Sequence, residues 1–231
     1  MTLPVKAISY SQLYSYFHHP DEWYDRYVRK VKIPPTQPMM LGTICHEAFE
    51  QLEWKDEKLV TKFDYRGKLI QEGFMPDKAR MIDEYISYLE NYYRGKELPV
   101  EREVSYYPVV NGLKLSVKLD GRWPAKGVRP ATILDYKTGG TLWTEEKMHE
   151  SFQVTWYSFG EYLINKRIPV FIVHTFSTKN GKADTFQIKR TKEHFKHITY
   201  IVKLYVKGVE QDIFSPGRFT PDMIKASQMV N

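Results

Sequence analysis

The stretch Ala131-Thr132-Ile133-Leu134-Asp135-Tyr136-Lys137-Thr138-Gly139-Gly140 runs an apolar segment straight into an acid and an amine. Side chains alternate along a strand, so Asp135 and Lys137 share one face while Leu134 and Tyr136 point the other way. The apolar lead-in is that of a central strand buried on both faces. Thr138-Gly139-Gly140 ends it just past the charges. Such a segment demands a sheet covered by helices, with an acid and a cation fixed at a rigid strand exit. Just upstream, Leu113, Leu115, Val117 and Leu119 alternate with Lys114, Ser116, Lys118 and Asp120. Asp120 therefore lies on the polar face of a neighbouring arm.

The remaining pattern fills in the layers. Residues 8–32 read as one or two short helices, capped by Ser9 or Ser11 and restarted at Pro20-Asp21. They are rich in aromatic residues. Lys32 to Pro38 is a proline loop. Met40 to about Trp54 repeats apolar residues at helical spacing, and 57–93 reads as two helices parted by Gly73 and Pro76. Val104–Val110 and Leu113–Gly121 form a hairpin through Asn111-Gly112, a pair suited to a type I′ turn. Pro108 marks an edge or a bulge. Thr132–Tyr136 is a third strand, 145–166 an amphipathic helix, and Pro169–Ser177 with Lys182–Ile188 a second hairpin through Asn180-Gly181. A helix over 191–210 follows, and the tail after Ser215 reads as irregular. This order predicts an α/β fold with a mixed central sheet flanked by helices. One domain is expected over 1–231: 1–95 mostly helical with an N-terminal helical cap, 96–231 the sheet and its flanking helices.

Composition narrows the partners. The chain has 231 residues, 42% of them hydrophobic, which excludes a disordered polymer. A net charge of +6 favours an anionic partner. The single cysteine, Cys45, rules out an intramolecular disulfide framework and an all-cysteine iron–sulfur cluster built from this chain alone. No apolar run approaches the ~20 residues of a membrane span, and the first residues carry no signal-peptide core. A soluble cytoplasmic, intracellular protein is expected.

The acid-and-lysine pair matches what phosphodiester hydrolysis requires. A carboxylate fixes a divalent ion, and an amine orients water and offsets phosphate charge. His46, in Gly42-Thr43-Ile44-Cys45-His46-Glu47-Ala48-Phe49-Glu50, would complete a nitrogen–oxygen–oxygen set with Asp120 and Asp135. The second histidine of a zinc-protease helix is missing. Oxygen ligands with one imidazole suit Mg²⁺ or Mn²⁺. Gln153 and Tyr157 lie four apart on one helical face and can support the lysine or a phosphate. Lys114, Lys118, Arg122, Lys126 and Arg129 are candidates for tracking a nucleic-acid backbone, and cap aromatics for stacking unpaired bases.

These segments, from Ser9-Tyr10-Ser11-Gln12-Leu13 through Gly42-x-x-x-His46, Leu119-Asp120-Gly121 and Asp135-Tyr136-Lys137 to Gln153-x-x-x-Tyr157, come in a familiar order. The chain resembles the RecB-like exonuclease branch of the PD-(D/E)xK nuclease superfamily. That branch also contains the CRISPR-associated iron–sulfur nucleases and a mitochondrial single-strand exonuclease. The resemblance implies a restriction-endonuclease-like core. It implies His46, Asp120, Asp135 and the Tyr136 carbonyl as metal ligands, Lys137 as the catalytic lysine, and Gln153 and Tyr157 in support. Where iron–sulfur members carry cysteines, this chain has His18-His19-Pro20 and a cysteine-free Phe214–Phe219 segment, so no cluster is expected. The terminal regions must then be joined by other packing, with the aromatic residues as candidates.

The expected function is metal-dependent hydrolysis of DNA, by an exonuclease acting on single strands or ends. Protein partners would lie in repair, replication or recombination. Two alternatives share the sequence signals: a flap or branch endonuclease, and a catalytically silent DNA-binding subunit.

Overall fold

The computed structural model describes residues 3, 5–215 and 218–230. A seven-stranded mixed sheet forms its centre, in the order β1-β6-β7-β8-β9, with β4 and β5 on the other edge of β6. The strands are β1 (Ile8–Ser9), β4 (Glu101–Tyr106), β5 (Val109–Val110), β6 (Leu113–Trp123), β7 (Thr132–Gly139), β8 (Val170–Ser177) and β9 (Ala183–Lys189). A separate hairpin joins β2 (Leu52–Lys55) to β3 (Lys58–Thr61). Helices α3 (Gln37–Glu50), α4 (Tyr65–Gln71) and α5 (Asp77–Tyr93) cover one face. The other carries α6 (Glu145–Glu150), α7 (Phe152–Asn165) and α8 (Lys192–Glu210). At the start of the chain lie α1 (Tyr10–His18), α2 (Pro20–Trp23) and a π-helical turn (Tyr24–Val28); α9 (Pro221–Met229) comes last. The mixed α/β architecture is the one expected.

β6 organises the sheet. On one edge β4 and β5 pair with it in a single antiparallel register, interrupted around Pro108 as that residue demands. Asn111 and Gly112 both take positive φ, 50° and 78°, in the turn between the arms. The other edge is shared. β7 pairs antiparallel with Gly121–Trp123, and β1 pairs parallel with Leu115 and Ser116. Between these contacts β7 leaves β6, and the sheet opens into a fork. β7 continues alongside β8 over its whole length, from Thr132↔Val170 to Gly139↔Ser177.

Five sequence expectations change. The helix from Met40 does not reach Trp54: it ends at Glu50, and Leu52–Lys55 is β2. Residues 57–64 are not helical: Lys58–Thr61 is β3, reached through Asp56 and Glu57 at φ 47° and 63°. That is the geometry of a primed hairpin turn made without glycine, so its usual sequence signal is missing. The helix over 145–166 breaks at Ser151. There Arg190, itself buried, donates to the carbonyls of Met148 and Ser151 at 2.9 and 3.0 Å and to Thr155 Oγ1 at 2.8 Å. Carbonyls at the end of α6 thus gain a donor, while Ser151 Oγ caps α7. The tail after Ser215 is not wholly irregular, since Thr220 caps α9 and Pro221 opens it; Pro216 and Gly217 lie outside the described residues. Strand β1 was not anticipated.

Aromatic packing joins the two ends of the chain. Tyr16 meets Tyr205 edge-on at 5.0 Å, Trp23 stacks on Phe214 at 5.6 Å, and Tyr16 donates to the Ile213 carbonyl at 2.7 Å. On the opposite face His174 is completely buried beneath α5. Tyr93 Oη lies 2.9 Å from its Nε2 and Thr185 Oγ1 2.6 Å from its Nδ1. Burial, with Lys96 nearby, pushes its pKa from 6.5 down to about 3. Unfolding therefore takes up a proton once the pH is below 6.5. Stability is complete above that value and declines as pH falls toward 3, by at most about 1.4 kcal/mol per pH unit. His174→Gln should lower stability at pH 7.5 yet flatten its dependence between pH 6 and 4. Urea titrations at several pH values measure this, and parallel curves for the two proteins would show that His174 does not carry the effect.

Candidate active site

The fork places the charged residues. In the β6–β7 register, the pair following Gly121↔Leu134 would be Asp120 opposite Asp135, but the ladder stops one step short. In place of another backbone bond, the Tyr136 amide donates to Asp120 Oδ2 at 2.7 Å. The strand is irregular here as well. Val117 lies against α7 at Gly160, and Arg122 also reaches α7, donating to Glu161 at 2.9–3.2 Å. An odd separation with both side chains on one side requires the alternation to slip between them. Opposite the slip, Glu103 adopts φ 50°, and the Glu103–Asp120 pair is missing from the β4–β6 ladder. Asp120 keeps the face of Lys118, two residues earlier, beside α3, and the slip falls just after it, at Gly121 and Arg122.

On that side, His46 Nδ1 lies 3.3 Å from Asp120 Oδ2. Glu50 follows one turn later on the same face of α3. One ligand atom each from His46, Glu50 and Asp120 lies within 4.8 Å of the others. They open on a cleft of about 440 Å³ that Glu103 and Lys118 also line. Burial and the neighbouring Glu103 carboxylate push Glu50 up to about 9. Burial also works against a charged Asp120, but His46, the Tyr136 amide and Lys137 outweigh it and hold that carboxyl below its usual range.

Across the fork, Asp135 and Lys137 face α7. Lys137 Nζ sits 2.7 Å from Asp135 Oδ2 and donates to Gln153 Oε1, also at 2.7 Å. Gln153 Nε2 donates to Tyr157 Oη at 3.1 Å. The four groups form a line from Tyr157 through Gln153 and the Lys137 ammonium to Asp135. The Lys137–Asp135 approach is close in distance but off the hydrogen-bond direction, so buried Asp135 Oδ2 has no hydrogen-bond partner among the described residues. Burial, reinforced by Asp120, raises the Asp135 pKa despite the Lys137 charge. Tyr10, at the start of α1, lies near enough to feel Asp135; burial first, then Tyr14 and Asp135, push it up to about 12.

All seven residues singled out from the sequence thus border the fork. Asp135 is not within the 4.8 Å group, where Glu50 stands instead. Glu50 and Tyr10 were missed. The signal for Glu50 was its position four after His46, on one helical face. Two of the cations proposed to track a backbone are engaged internally: Lys118 pairs with Glu103, and Arg122 with Glu101 and Glu161.

The donor set of one imidazole and several carboxylates, with an unsatisfied buried carboxylate oxygen beside it, fits a hard divalent cation. Fold and site together define a nuclease-type α/β scaffold with its acids and lysine at a sheet fork. Residues 7–200 match the model of the PD-(D/E)XK nuclease superfamily, and the chain belongs to that superfamily. Among solved structures, an exonuclease candidate from Eubacterium rectale is similar, with a TM-score of 0.63 and 13% identity. The match covers 91% of this chain and 83% of that one, and its low identity bears on the fold alone. No curated protein matches the chain in sequence.

A buried carboxylate held next to other acids costs stability when no cation is bound. Asp135→Asn removes that charge and leaves Lys137 its bond to Gln153, so the variant should melt higher than wild type in EDTA, by about 1 kcal/mol or more. Calorimetry decides this; a lower melting temperature would mean that the Lys137–Asp135 attraction outweighs the burial of the carboxylate.

Proposed function

We propose that the chain is a cytoplasmic, divalent-metal-dependent deoxyribonuclease of the RecB-like branch, acting as an exonuclease on single-stranded or end-bearing DNA. The observation that carries this reading is the fixed ammonium of Lys137, 2.7 Å from both Asp135 and Gln153, beside a cluster of imidazole and carboxylate donors. His46, Asp120 and Asp135, with the Tyr136 carbonyl, would hold Mg²⁺ or Mn²⁺, and Glu50 would join them. A cation so bound supplies Lewis-acid stabilisation of charge on the phosphate and the leaving oxygen. Lys137 orients the attacking water in line with the scissile bond and offsets charge on the phosphoryl oxygens. Gln153 keeps the ammonium from swinging toward solvent, and Tyr157 fixes the amide rotamer. These two act as positioning residues. The expectation of attack from ends draws support from the sequence resemblance and from the description of the Eubacterium rectale protein. Free DNA ends arise in repair, replication and recombination.

Digestion of DNA labelled at the 5′ or the 3′ end, as linear and circular single and double strands, with Mg²⁺ or Mn²⁺, tests the reading. Linear single strands should be degraded and circles spared. Cutting of a circular single strand would favour an endonuclease, and binding without degradation a silent subunit. Lys137→Ala and Asp135→Ala should each lower the rate by about 10²-fold or more while the protein stays folded. Gln153→Ala should lower kcat by up to about 10²-fold through misplacement of the ammonium. Glu50→Gln should raise the Mn²⁺ concentration needed for half-maximal rate; an unchanged requirement would remove Glu50 from the site.

A further inference from the structure

We infer that a second cleft, at the other end of the β6–β7 pair, binds an unpaired stretch of a single DNA strand. This rests on DNA being the substrate, but the binding itself needs neither the metal nor cleavage. The cleft encloses about 580 Å³ between the end of α5, the end of β6 and the loop that leads into β7. Two aromatic rings and three cations converge on it: Tyr92 and Trp123, with Lys96, Lys126 and Arg129.

Both rings are held in place. Tyr92 packs edge-on against Tyr93 at 4.9 Å and His174 at 4.7 Å, while Trp123 Nε1 donates to the Glu97 carbonyl at 3.2 Å. Lys96 Nζ lies 3.7 Å from the Tyr92 ring centroid, an arrangement that keeps its charge over an aromatic surface. The loop is braced by a backbone bridge between Lys126 and Arg129, which projects both side chains from one short turn.

Charge gives the cleft its ligand chemistry. Elsewhere on this surface cations are paired: Arg66 with Asp83, Arg94 with Glu90, Lys118 with Glu103. Among the described residues no carboxylate pairs with Lys96, Lys126 or Arg129, and Glu97 is the one acid lining the cleft. Rigid rings flanked by unneutralised amines and a guanidinium suit a base with the phosphates on either side of it. Position favours a strand over a free nucleotide. Trp123 pairs with Thr132, and both Asp120 and Asp135 lie three residues further along those strands. At ~3.3 Å per residue the acids are roughly 10 Å away. Ile133 and Leu134 between them are fully buried, so a strand held in this cleft would reach the fork over the surface and needs more than about three nucleotides to do so.

The test measures binding of fluorescent oligothymidylate to the whole protein in EDTA, where the acids of the fork repel DNA. Lys126→Glu/Arg129→Glu, with folding checked by circular dichroism and thermal melting, should weaken binding about tenfold or more and lower the slope of log affinity against log salt by more than 1. Trp123→Phe should retain most of the affinity, Trp123→Leu should lose it, and Glu97→Gln should tighten binding. Wild-type affinity and salt slope in the double variant would overturn the inference even if the enzyme cuts DNA. Competition by thymidine monophosphate as strong as by the oligomer, or by polyglutamate as strong as by DNA, would overturn it too. Cleft-dependent binding without cleavage would leave it standing while the nuclease reading failed.

Discussion

A single hydrogen bond, from the Tyr136 amide to Asp120 Oδ2, stands where two strands stop being a sheet. A buried amide that leaves a ladder needs another acceptor, and here a carboxylate replaces the lost carbonyl. The exchange has two effects. It fixes Asp120 by a charge-assisted bond, and it ends β6–β7 pairing so that a gap forms within the sheet. β1 then occupies the edge of β6 that β7 has vacated. The fork is thus held open from three directions: by β1 on the vacated edge, by Asp120 at the crotch, and by the long parallel pairing of β7 with β8. Side chains from both faces of the sheet reach the gap, His46 and Glu50 from α3 and Gln153 from α7. A flat sheet would keep them apart.

Such a site works against folding, and the surroundings offset the cost. Asp135 is buried with an unsatisfied oxygen, and Glu50 and Glu103 crowd Asp120. Around them several buried polar groups and the aromatic packing supply compensating contacts. Beneath the β6 irregularity, buried Glu161 receives Arg122 and Tyr106, the latter at 2.6 Å. The break between α6 and α7 is filled by Arg190. The aromatic group of Tyr16, Trp23, Tyr205 and Phe214 ties the termini together with dispersion and edge-to-face contacts. The one cysteine, Cys45, is buried in the α3–α5 core, away from that join.

Local signals made much of this legible. The apolar run into Asp135 and Lys137 gave a buried strand, Asn111-Gly112 a hairpin, and the four-residue spacing of Gln153 and Tyr157 a shared helical face. What stayed hidden depends on distant partners. No periodicity around Ser151 reveals a helix break, because the cause is Arg190 on another element. Two residues, Ile8 and Ser9, are too few to carry a strand pattern. Asp56 and Glu57 adopt a turn that sequence rules reserve for glycine and asparagine. Glu50 carries the helical spacing from His46, yet only the packing of α3 beside β6 brings Asp120, a third donor, to meet them. Composition likewise gave the excess of positive charge without its location. Lys118 and Arg122 seemed as available as Lys126 and Arg129 until their carboxylate partners were placed.

That partition of charge has a physical logic. Close to the fork, a free cation would compete with a metal for the same carboxylates, and each amine or guanidinium there is tied to an acid or an amide. Lys137 is held by Asp135 and Gln153, Lys118 by Glu103, Arg122 by Glu101 and Glu161. Further out, at the loop before β7, Lys126 and Arg129 have no such partners among the described residues and keep their long-range attraction for an anion. A phosphate backbone can therefore be attracted at the rim without neutralising the acids at the centre. The sheet sets this spacing, since β6 and β7 run as a rigid pair from the rim to the point where they part.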